Sequence, residues 1–142
     1  MNLLERLTRW RGKKKAHWTH RRGALGEHAA KKHLRSAGLK YLTANFNSGR
    51  GEIDLIFRDD DCLVFVEVKT RSTEAWTRPA AAVNAAKRLR LTRCAFDYLR
   101  LLRSPEIKIR FDVVEVLLRD GDVKEIRHLP NTFTLSPPFR YG

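Results

Sequence analysis

The spacing of apolar residues along this chain switches between strand-like and helix-like periods, which predicts an α/β domain. Five apolar-rich runs have the length and composition of strands: 40–46, 51–57, 62–70, 107–118 and 123–129. Two other segments carry apolar residues at helical spacing: 23–37 and 79–103. Gly38 is expected to end the first helix and Pro79 to begin the second. The pattern therefore predicts one sheet with helices packed on it.

The second predicted helix has an apolar stripe that one charged residue interrupts. Lys87 occupies a position within this stripe, whose other members are Val83, Leu91, Cys94, Tyr98 and Leu102. Two interpretations of Lys87 are open. Its ammonium group points at an acidic site, or its aliphatic stem passes along the edge of the core.

Glu67 and Lys69 lie at the end of a strand that is otherwise apolar. Because side chains alternate along a strand, the two point to one face, roughly 7 Å apart. Asp54 belongs to the preceding strand, and a turn at 58–61 joins the two strands. This arrangement can bring Asp54, Glu67 and Lys69 to one point. Two carboxylates and a lysine form a set that holds Mg²⁺ and a hydrolytic water beside a phosphodiester.

The composition indicates a polyanionic partner. The chain has 29 Lys and Arg against 16 Asp and Glu, a formal net charge of +13 and a pI of about 10.4. Such a field attracts nucleic acid and makes binding salt-dependent. A basic chain with a local acidic pocket has the layout expected of a metal-dependent nuclease. A membrane-surface protein can be equally basic but does not need the acidic cluster.

Length, cysteines and hydropathy restrict the cellular setting. A chain of 142 residues is expected to form one domain. Cys62 and Cys94 stand apart and form no C-x-x-C pair, so a reducing cytoplasm is the simplest location. No run approaches the roughly 20 apolar residues of a membrane span, so we expect no membrane partner.

Residues 1–22 are nearly free of acids and are predicted to be a basic N-terminal arm. Their cations include Lys13, Lys14, Lys15, Arg21 and Arg22. One interpretation is an arm that grips phosphates and stacks an aromatic side chain on an unpaired base. The other is a solvated terminus whose charge aids solubility. A transit peptide would also be Arg-rich, although a cytosolic arm is the simpler interpretation. The domain itself is expected over 23–133, followed by an irregular tail over 134–142.

Glu27 lies on the first predicted helix beside Ala30 and Leu34 of its apolar stripe. An acid in that position needs either a partner or a function. Helical spacing alone leaves two interpretations open: a glutamate at the rim of the core, or an acid that joins the site on the strands.

Four short motifs, in this order, resemble the YraN-like bacterial family. They are Gly26-Glu27, Gly-Glu-Ile-Asp-Leu-Ile at 51–56, Phe-Val-Glu-Val-Lys-Thr-Arg at 65–71 and Arg-Phe-Asp-Val-Val at 110–114. The resemblance covers about residues 23–133, and the ordered set is far more specific than a single Glu-x-Lys. That family is placed in the restriction-endonuclease-like superfamily, near the archaeal Holliday-junction resolvases. The implied fold is a restriction-endonuclease-like mixed central β-sheet flanked by α-helices.

The resemblance implies catalytic roles for four positions of this chain. Asp54 and Glu67 match the metal-binding carboxylates, and Lys69 matches the lysine that orients or deprotonates the attacking water. Glu27 matches the acid on the first helix, which helps hold the metal or its waters. The implied metal is Mg²⁺ or Mn²⁺, and the implied products carry a 5′-phosphate and a 3′-hydroxyl.

Three further motif residues have weaker parallels in the superfamily. Arg71 lies just past the strand end, where it can contact a phosphate. Lys87 sits where some relatives carry a glutamine, and we group it with the nucleic-acid-binding residues. Asp112 is interpreted as a structural partner for a nearby cation.

The sequence thus predicts a metal-dependent DNA endonuclease, with selectivity for junctions or flaps in repair or recombination as one form of it. The alternative is a nucleic-acid-binding repair scaffold with little or no turnover. A protein of RNA or ribosomal surfaces is less favoured, because no aromatic RNA-recognition signature is present. Since superfamily members that cut two strands often pair, the resemblance also makes a homodimer an expectation.

Overall fold

The computed structural model describes residues 20–72, 83–103 and 106–133, with side chains from Gly23 onwards. These residues form two helices and five strands, in the order α1 (His20–Ser36), β1 (Lys40–Asn47), β2 (Glu52–Asp59), β3 (Cys62–Arg71), α2 (Ala85–Leu102), β4 (Lys108–Arg119) and β5 (Asp122–Phe133). The seven predicted elements are confirmed, with shifted bounds. Neither helix is long and apolar enough to cross a membrane.

The five strands form one mixed sheet in the order β1-β2-β3-β4-β5. Strands β3 and β4 are parallel, and every other neighbouring pair is antiparallel. A parallel pair needs a crossover connection, and α2 lies within the segment that joins β3 to β4. The predicted fold class, a restriction-endonuclease-like mixed central β-sheet flanked by α-helices, is confirmed.

Each helix covers one core. Helix α1 packs Ala30 and Leu34 against alternate residues of the central strands, Val64, Val66, Val114 and Val116. Helix α2 packs Leu91, Cys94 and Tyr98 against the intervening residues, Phe65, Phe111 and Val113. Because β3 is buried on both faces, it reads as a continuous apolar run. Its charged residues are therefore found only where the strand leaves the two cores.

Helix α1 ends as its glycine predicts. Gly38 has a φ of 96°, a conformation that costs a residue without Cβ little. The amide of Gly38 donates to the Arg35 carbonyl at 3.0 Å, and the amide of Leu39 donates to the Leu34 carbonyl at 3.1 Å. This pair of bonds is a Schellman motif, and the buried side chains of Leu34 and Leu39 belong to the same core.

Helix α2 begins later than predicted. Asn84 is the N-cap: its backbone is extended, and its side chain accepts a hydrogen bond from the amide of Lys87 at 2.9 Å. The predicted start at Pro79 lies outside the described residues, and the described part of the helix starts at Ala85. A proline is only compatible with the first turn of a helix, whereas the Asn84 side chain accepts a hydrogen bond from one of the unpaired amides at the start of α2.

Helix α1 begins at His20 rather than at the predicted residue 23, so its backbone includes Arg21 and Arg22 of the predicted arm. Residues 1–19, with Lys13, Lys14 and Lys15, and the tail 134–142 lie outside the described residues. Their proposed roles stay predictions.

A buried ionic group near the start of β4 surrounds Asp112, which is 0% exposed. Its carboxylate accepts hydrogen bonds from Arg110 Nε at 3.1 Å and from the Asn131 amide at 2.9 Å, and it lies 2.7 Å from His128 Nε2. Arg110 also donates to Asp59 at 2.7 Å. The interpretation of Asp112 as a structural partner for a nearby cation is confirmed, and the cation is Arg110.

Asp112 makes the stability of the fold depend on pH. Burial raises the pKa of Asp112, but hydrogen bonds from His128, Arg110 and the Asn131 amide outweigh burial, so the pKa lies below the ordinary 3.8. A depressed acid pKa stabilises the fold above the unfolded-state pKa, and this stability is lost as pH falls through the folded-state pKa.

We therefore expect Asp112→Asn to lower the free energy of unfolding by about 3 kcal/mol at neutral pH. The difference from the parent should narrow below about pH 4, where the unfolded aspartate binds a proton. Urea unfolding at neutral pH and at about pH 3 measures both values. Asp60→Asn, in the exposed β2–β3 turn, is the control. If the parent and Asp112→Asn differed in free energy of unfolding by the same amount at both pH values, the stabilising role of the ionised Asp112 carboxylate would be contradicted.

Candidate active site

Asp54 and Glu67 meet where β2 begins and β3 leaves the core. The last ladder pair between the two strands is Leu55 opposite Val66. Beyond it, the amide of Val68 donates to Asp54 Oδ2 at 2.8 Å. The carboxylate of Asp54 thus lies against the main chain of β3, next to Glu67. This is the convergence that the two-strand arrangement predicted.

The sheet is irregular beside Asp54. Ile53 belongs to the core under α2, whereas Leu55, two residues later, belongs to the core under α1. Strict alternation would place both on one face. The paired stretch of β1 switches face around Asn45, whose φ is 54°. A residue in the left-handed region increases the local twist of the strand pair. The regular alternation of side chains is therefore interrupted next to Asp54.

Glu67 is the most enclosed acid of the site. Its exposure is 6%, and one of its oxygens, Oε1, receives two ammonium groups. Lys69 Nζ lies 3.4 Å from this oxygen and Lys87 Nζ lies 2.8 Å from it. The contact decides between the two interpretations of Lys87, since its ammonium group points at the acidic site. Two cations explain how this carboxylate remains buried.

The ionised form of Asp54 is disfavoured by its surroundings. Burial is the largest cause that raises the pKa of Asp54 well above the ordinary 3.8, and the negative charges of Glu67 and Glu27 raise it further. The Val68 amide and the Lys87 ammonium oppose this shift without cancelling it. Carboxylates that repel one another in a poorly solvated site favour a bound cation, which lowers that repulsion.

Glu27 approaches the same site from α1. Burial is the largest cause that raises the pKa of Asp54 and of Tyr41, and the negative charge of Glu27 raises both further. With the side-chain amide oriented to satisfy its neighbours, Asn45 donates to both oxygens of Glu27 at 3.3 Å. The interpretation of Glu27 as an acid that joins the site on the strands stays a prediction.

Gly26 permits α1 to approach β3 closely enough for Glu27 to reach the site. A Cβ at residue 26 would overlap Thr70 Oγ1 and lie 3.1 Å from Thr70 Cβ. No such conflict exists at Gly23, where an added Cβ meets nothing within 4 Å. The Gly-Glu pair of the sequence thus combines a close contact with the acid that this contact positions.

Gly26→Ala is expected to lower the free energy of unfolding by about 1–3 kcal/mol, because α1 must move away from Thr70. The direction is opposite to helix propensity, which favours alanine over glycine by about 1 kcal/mol. Gly23→Ala in the same helix is the matched control and should be neutral or stabilising. Chemical denaturation of both variants checks the prediction. Equal changes in the free energy of unfolding would show that the close contact with Thr70 does not require glycine at position 26.

The carboxylates fit a hard cation as a pair. Mg²⁺ is commonly held by one or two carboxylates, with waters and substrate phosphates completing its shell, and Asp54 with Glu67 supplies two. Within the described residues, no three His, Cys, Asp or Glu side chains form a ready metal cage. The expectation that Glu27 completes the shell stays a prediction.

Glu115 and Arg127, which lie beside the site, were not singled out from the sequence. Glu115 on β4 is 0% exposed and lies near Arg71 and Arg127. A single acid inside the apolar run 113–118 is the signal that was available, the same signal that identified Glu67. Arg71 lies at the end of β3, where the sequence placed it.

The comparison with known proteins identifies the family. Residues 26–116 match the family described as Uncharacterised protein family UPF0102. The chain belongs to the UPF0102 family. The matched range contains all four predicted catalytic residues, Glu27, Asp54, Glu67 and Lys69. The family-level part of the resemblance is therefore confirmed.

Similar proteins of this family occur in distant bacteria. A UPF0102 protein of Trichlorobacter lovleyi is 40% identical over 115 residues, which cover 80% of this chain and 91% of the relative. One of Nocardia farcinica is 43% identical over 111 residues, covering 78% of this chain and 87% of the relative. One of Porphyromonas gingivalis is 41% identical over 115 residues, covering 80% and 84%. The aligned region therefore covers most of the length of these relatives.

Proposed function

We propose that this UPF0102 protein is a Mg²⁺-dependent DNA endonuclease that hydrolyses phosphodiester bonds in the cytoplasm. The observation that carries the proposal is the meeting of Asp54 and Glu67, with Lys69 on the Glu67 carboxylate, in a chain of net charge +13. Action on junctions or flaps in repair or recombination, a homodimeric state and the relation to Holliday-junction resolvases belong to the same proposal.

Asp54 and Glu67 are the residues that would hold Mg²⁺ or Mn²⁺. When bound, such an ion polarises the scissile phosphate and lowers the pKa of a coordinated water. Asp54 is held in place by the Val68 amide, so its free oxygen, Oδ1, has a fixed direction. Glu67 is held by the two lysines through Oε1, and its carboxylate would supply the second ligand.

The lysines contribute charge and orientation. Lys69 and Lys87 are 26% and 34% exposed, so their ammonium groups lie at the surface of the site while Glu67 does not. Lys69 orients the attacking water and neutralises charge that develops on the phosphate in the transition state. Lys87 stabilises the Glu67 carboxylate before the substrate arrives and supplies a second positive charge toward a DNA phosphate.

Cleavage assays on labelled DNA test the proposal. Duplex, flap, four-way-junction and single-stranded DNA, with an RNA duplex for comparison, are incubated with Mg²⁺, with Mn²⁺ and with EDTA. We expect cleavage with either metal, none with EDTA, and products that religate because they carry a 5′-phosphate. Asp120→Asn, at an exposed turn where asparagine is well tolerated, should cleave like the parent.

The same assay separates the enzyme from a scaffold. A protein that binds DNA with strong salt dependence and yields no product with any substrate or metal would be a nucleic-acid-binding repair scaffold. Preferential binding to RNA over DNA would support the RNA-surface alternative instead.

A further inference from the structure

Glu115 is a carboxylate buried in the middle of β4, on the face that carries the lysine of the site. Its exposure is 0%, and neither of its oxygens has a hydrogen-bond partner among the described residues. An ionised carboxylate in such a place is costly unless opposite charges surround it. Glu115 therefore needs neighbours that hold it by charge.

Two arginines supply this charge from the two neighbouring strands. Arg71 Nε on β3 lies 4.0 Å from Glu115 Oε1, and Arg127 Nη1 on β5 lies 3.6 Å from Oε2. Both arginines stay at the surface, with 28% and 32% of their side chains exposed. The carboxylate thus lies beneath two partly exposed arginine side chains, and the three residues carry a net charge of about +1.

The three residues continue the active site across the sheet. Lys69 on β3 is the partner of Glu115 on β4, and Glu115 is the partner of Arg127 on β5. Directly opposed residues share a sheet face, and neighbouring strands lie about 4.8 Å apart. The main chain at Arg127 is therefore roughly 10 Å from the main chain at Lys69. Arg71 shares that face because it follows Lys69 by two positions.

We propose that Arg71 and Arg127 bind a backbone phosphate of the DNA next to the scissile one, and that Glu115 is the residue that positions both guanidinium groups. The proposal rests on the nuclease function proposed above for the nature of its ligand. Guanidinium forks match a phosphate with two parallel hydrogen bonds, which makes arginine the suited residue at such a position.

The distances separate this arrangement from a purely structural ion cluster. At Asp112, Arg110 Nε approaches to 3.1 Å and His128 Nε2 to 2.7 Å, and the carboxylate accepts hydrogen bonds from Arg110 and from the Asn131 amide. At Glu115, the approach stops at 3.6–4.0 Å, and no hydrogen bond to the carboxylate forms. At this distance the Glu115 carboxylate attracts the two guanidinium groups by charge rather than through hydrogen bonds.

DNA-binding affinity in EDTA tests the proposal without cleavage. Fluorescence anisotropy with a labelled duplex is measured over a range of salt concentrations for the parent, Arg127→Ala, Arg127→Lys and Arg35→Ala. Arg35 is exposed on the last turn of α1 and controls for the loss of one charge. We expect Arg127→Ala to bind about tenfold more weakly and to lower the salt slope by about one. Arg127→Lys should restore the slope but only part of the affinity, and Arg35→Ala should change neither by as much.

Glu115→Gln tests the positioning role by the sign of its effect. The substitution raises the net charge by one, so a general electrostatic effect predicts tighter DNA binding. If Glu115 positions the arginines, the variant binds more weakly in spite of its extra charge. Circular dichroism and thermal unfolding verify that each variant is folded before binding is compared.

The outcomes distinguish this site from the nuclease function. If folded Arg127→Ala binds like the parent while the parent cleaves DNA, the phosphate site is refuted and the nuclease stands. If the parent never cleaves but Arg127→Ala loses affinity and slope, the phosphate site stands and the nuclease fails. Tighter binding by Glu115→Gln removes the positioning role.

Discussion

Asp54→Asn and Glu67→Gln should each reduce the cleavage rate by about 10³-fold or more, the largest effects expected for this protein. Each substitution removes a carboxylate that a hard cation needs and leaves the shape of the side chain nearly unchanged. Single-turnover cleavage of a labelled substrate at matched Mg²⁺ measures the loss. DNA binding should persist or strengthen, because each variant carries one negative charge fewer near the phosphates.

The metal-free stability of Asp54→Asn gives a second readout for the same site. The raised pKa of Asp54 means that its ionised form is disfavoured in the folded protein. At neutral pH, asparagine removes both the burial of this charge and its repulsion by Glu67 and Glu27. We expect the variant to unfold at a higher temperature than the parent in EDTA, and Mg²⁺ to raise the unfolding temperature of the parent only.

Asp120→Asn is the control for both measurements, since it makes the same chemical change in the exposed β4–β5 turn. A parent-like cleavage rate in Asp54→Asn or Glu67→Gln would show that the carboxylates are not the catalytic group. A lower unfolding temperature of Asp54→Asn would show that its hydrogen bond to Val68, rather than its charge, dominates the fold at this position.

Lys69→Ala should lower the cleavage rate by about 10²–10⁴-fold at saturating metal, the second largest effect. Lys69 lies 3.4 Å from Glu67 Oε1 and is exposed enough to face a phosphate and its attacking water. Lost orientation and charge stabilisation are not replaced by more Mg²⁺. Lys124→Ala, an exposed lysine on β5, should retain the parent rate.

Glu27→Gln should change the metal requirement of cleavage, whereas Lys69→Ala should change the rate at saturating metal. Glu27 comes from α1 and acts on Asp54 by charge, so its loss should chiefly raise the metal concentration needed for half-maximal cleavage. A Mg²⁺ titration of both variants separates the two roles. A Lys69→Ala defect that added Mg²⁺ rescues, or a Glu27→Gln defect that no metal concentration improves, would exchange the assignments.

The sequence by itself determined the elements whose signals are local. Strand alternation and the left-handed glycine after α1 act over a few residues, and both appear in the structure as predicted. Asp54 and Glu67 were found in the same way, because only a tight turn separates β2 from β3. The start of α2 was predicted wrongly at its proline, since the competing cap at Asn84 depends on one side-chain hydrogen bond.

Only the tertiary structure decided which charges meet across distant elements. The helical pattern left Lys87 with two interpretations, and the 2.8 Å contact with Glu67 exists because α2 crosses the sheet at that point. Glu115 reads in the sequence as one acid in an apolar strand, and its partners come from β3 and β5. The parallel pairing of β3 with β4 sets this neighbourhood, and a pairing across a crossover has no local signal in the chain.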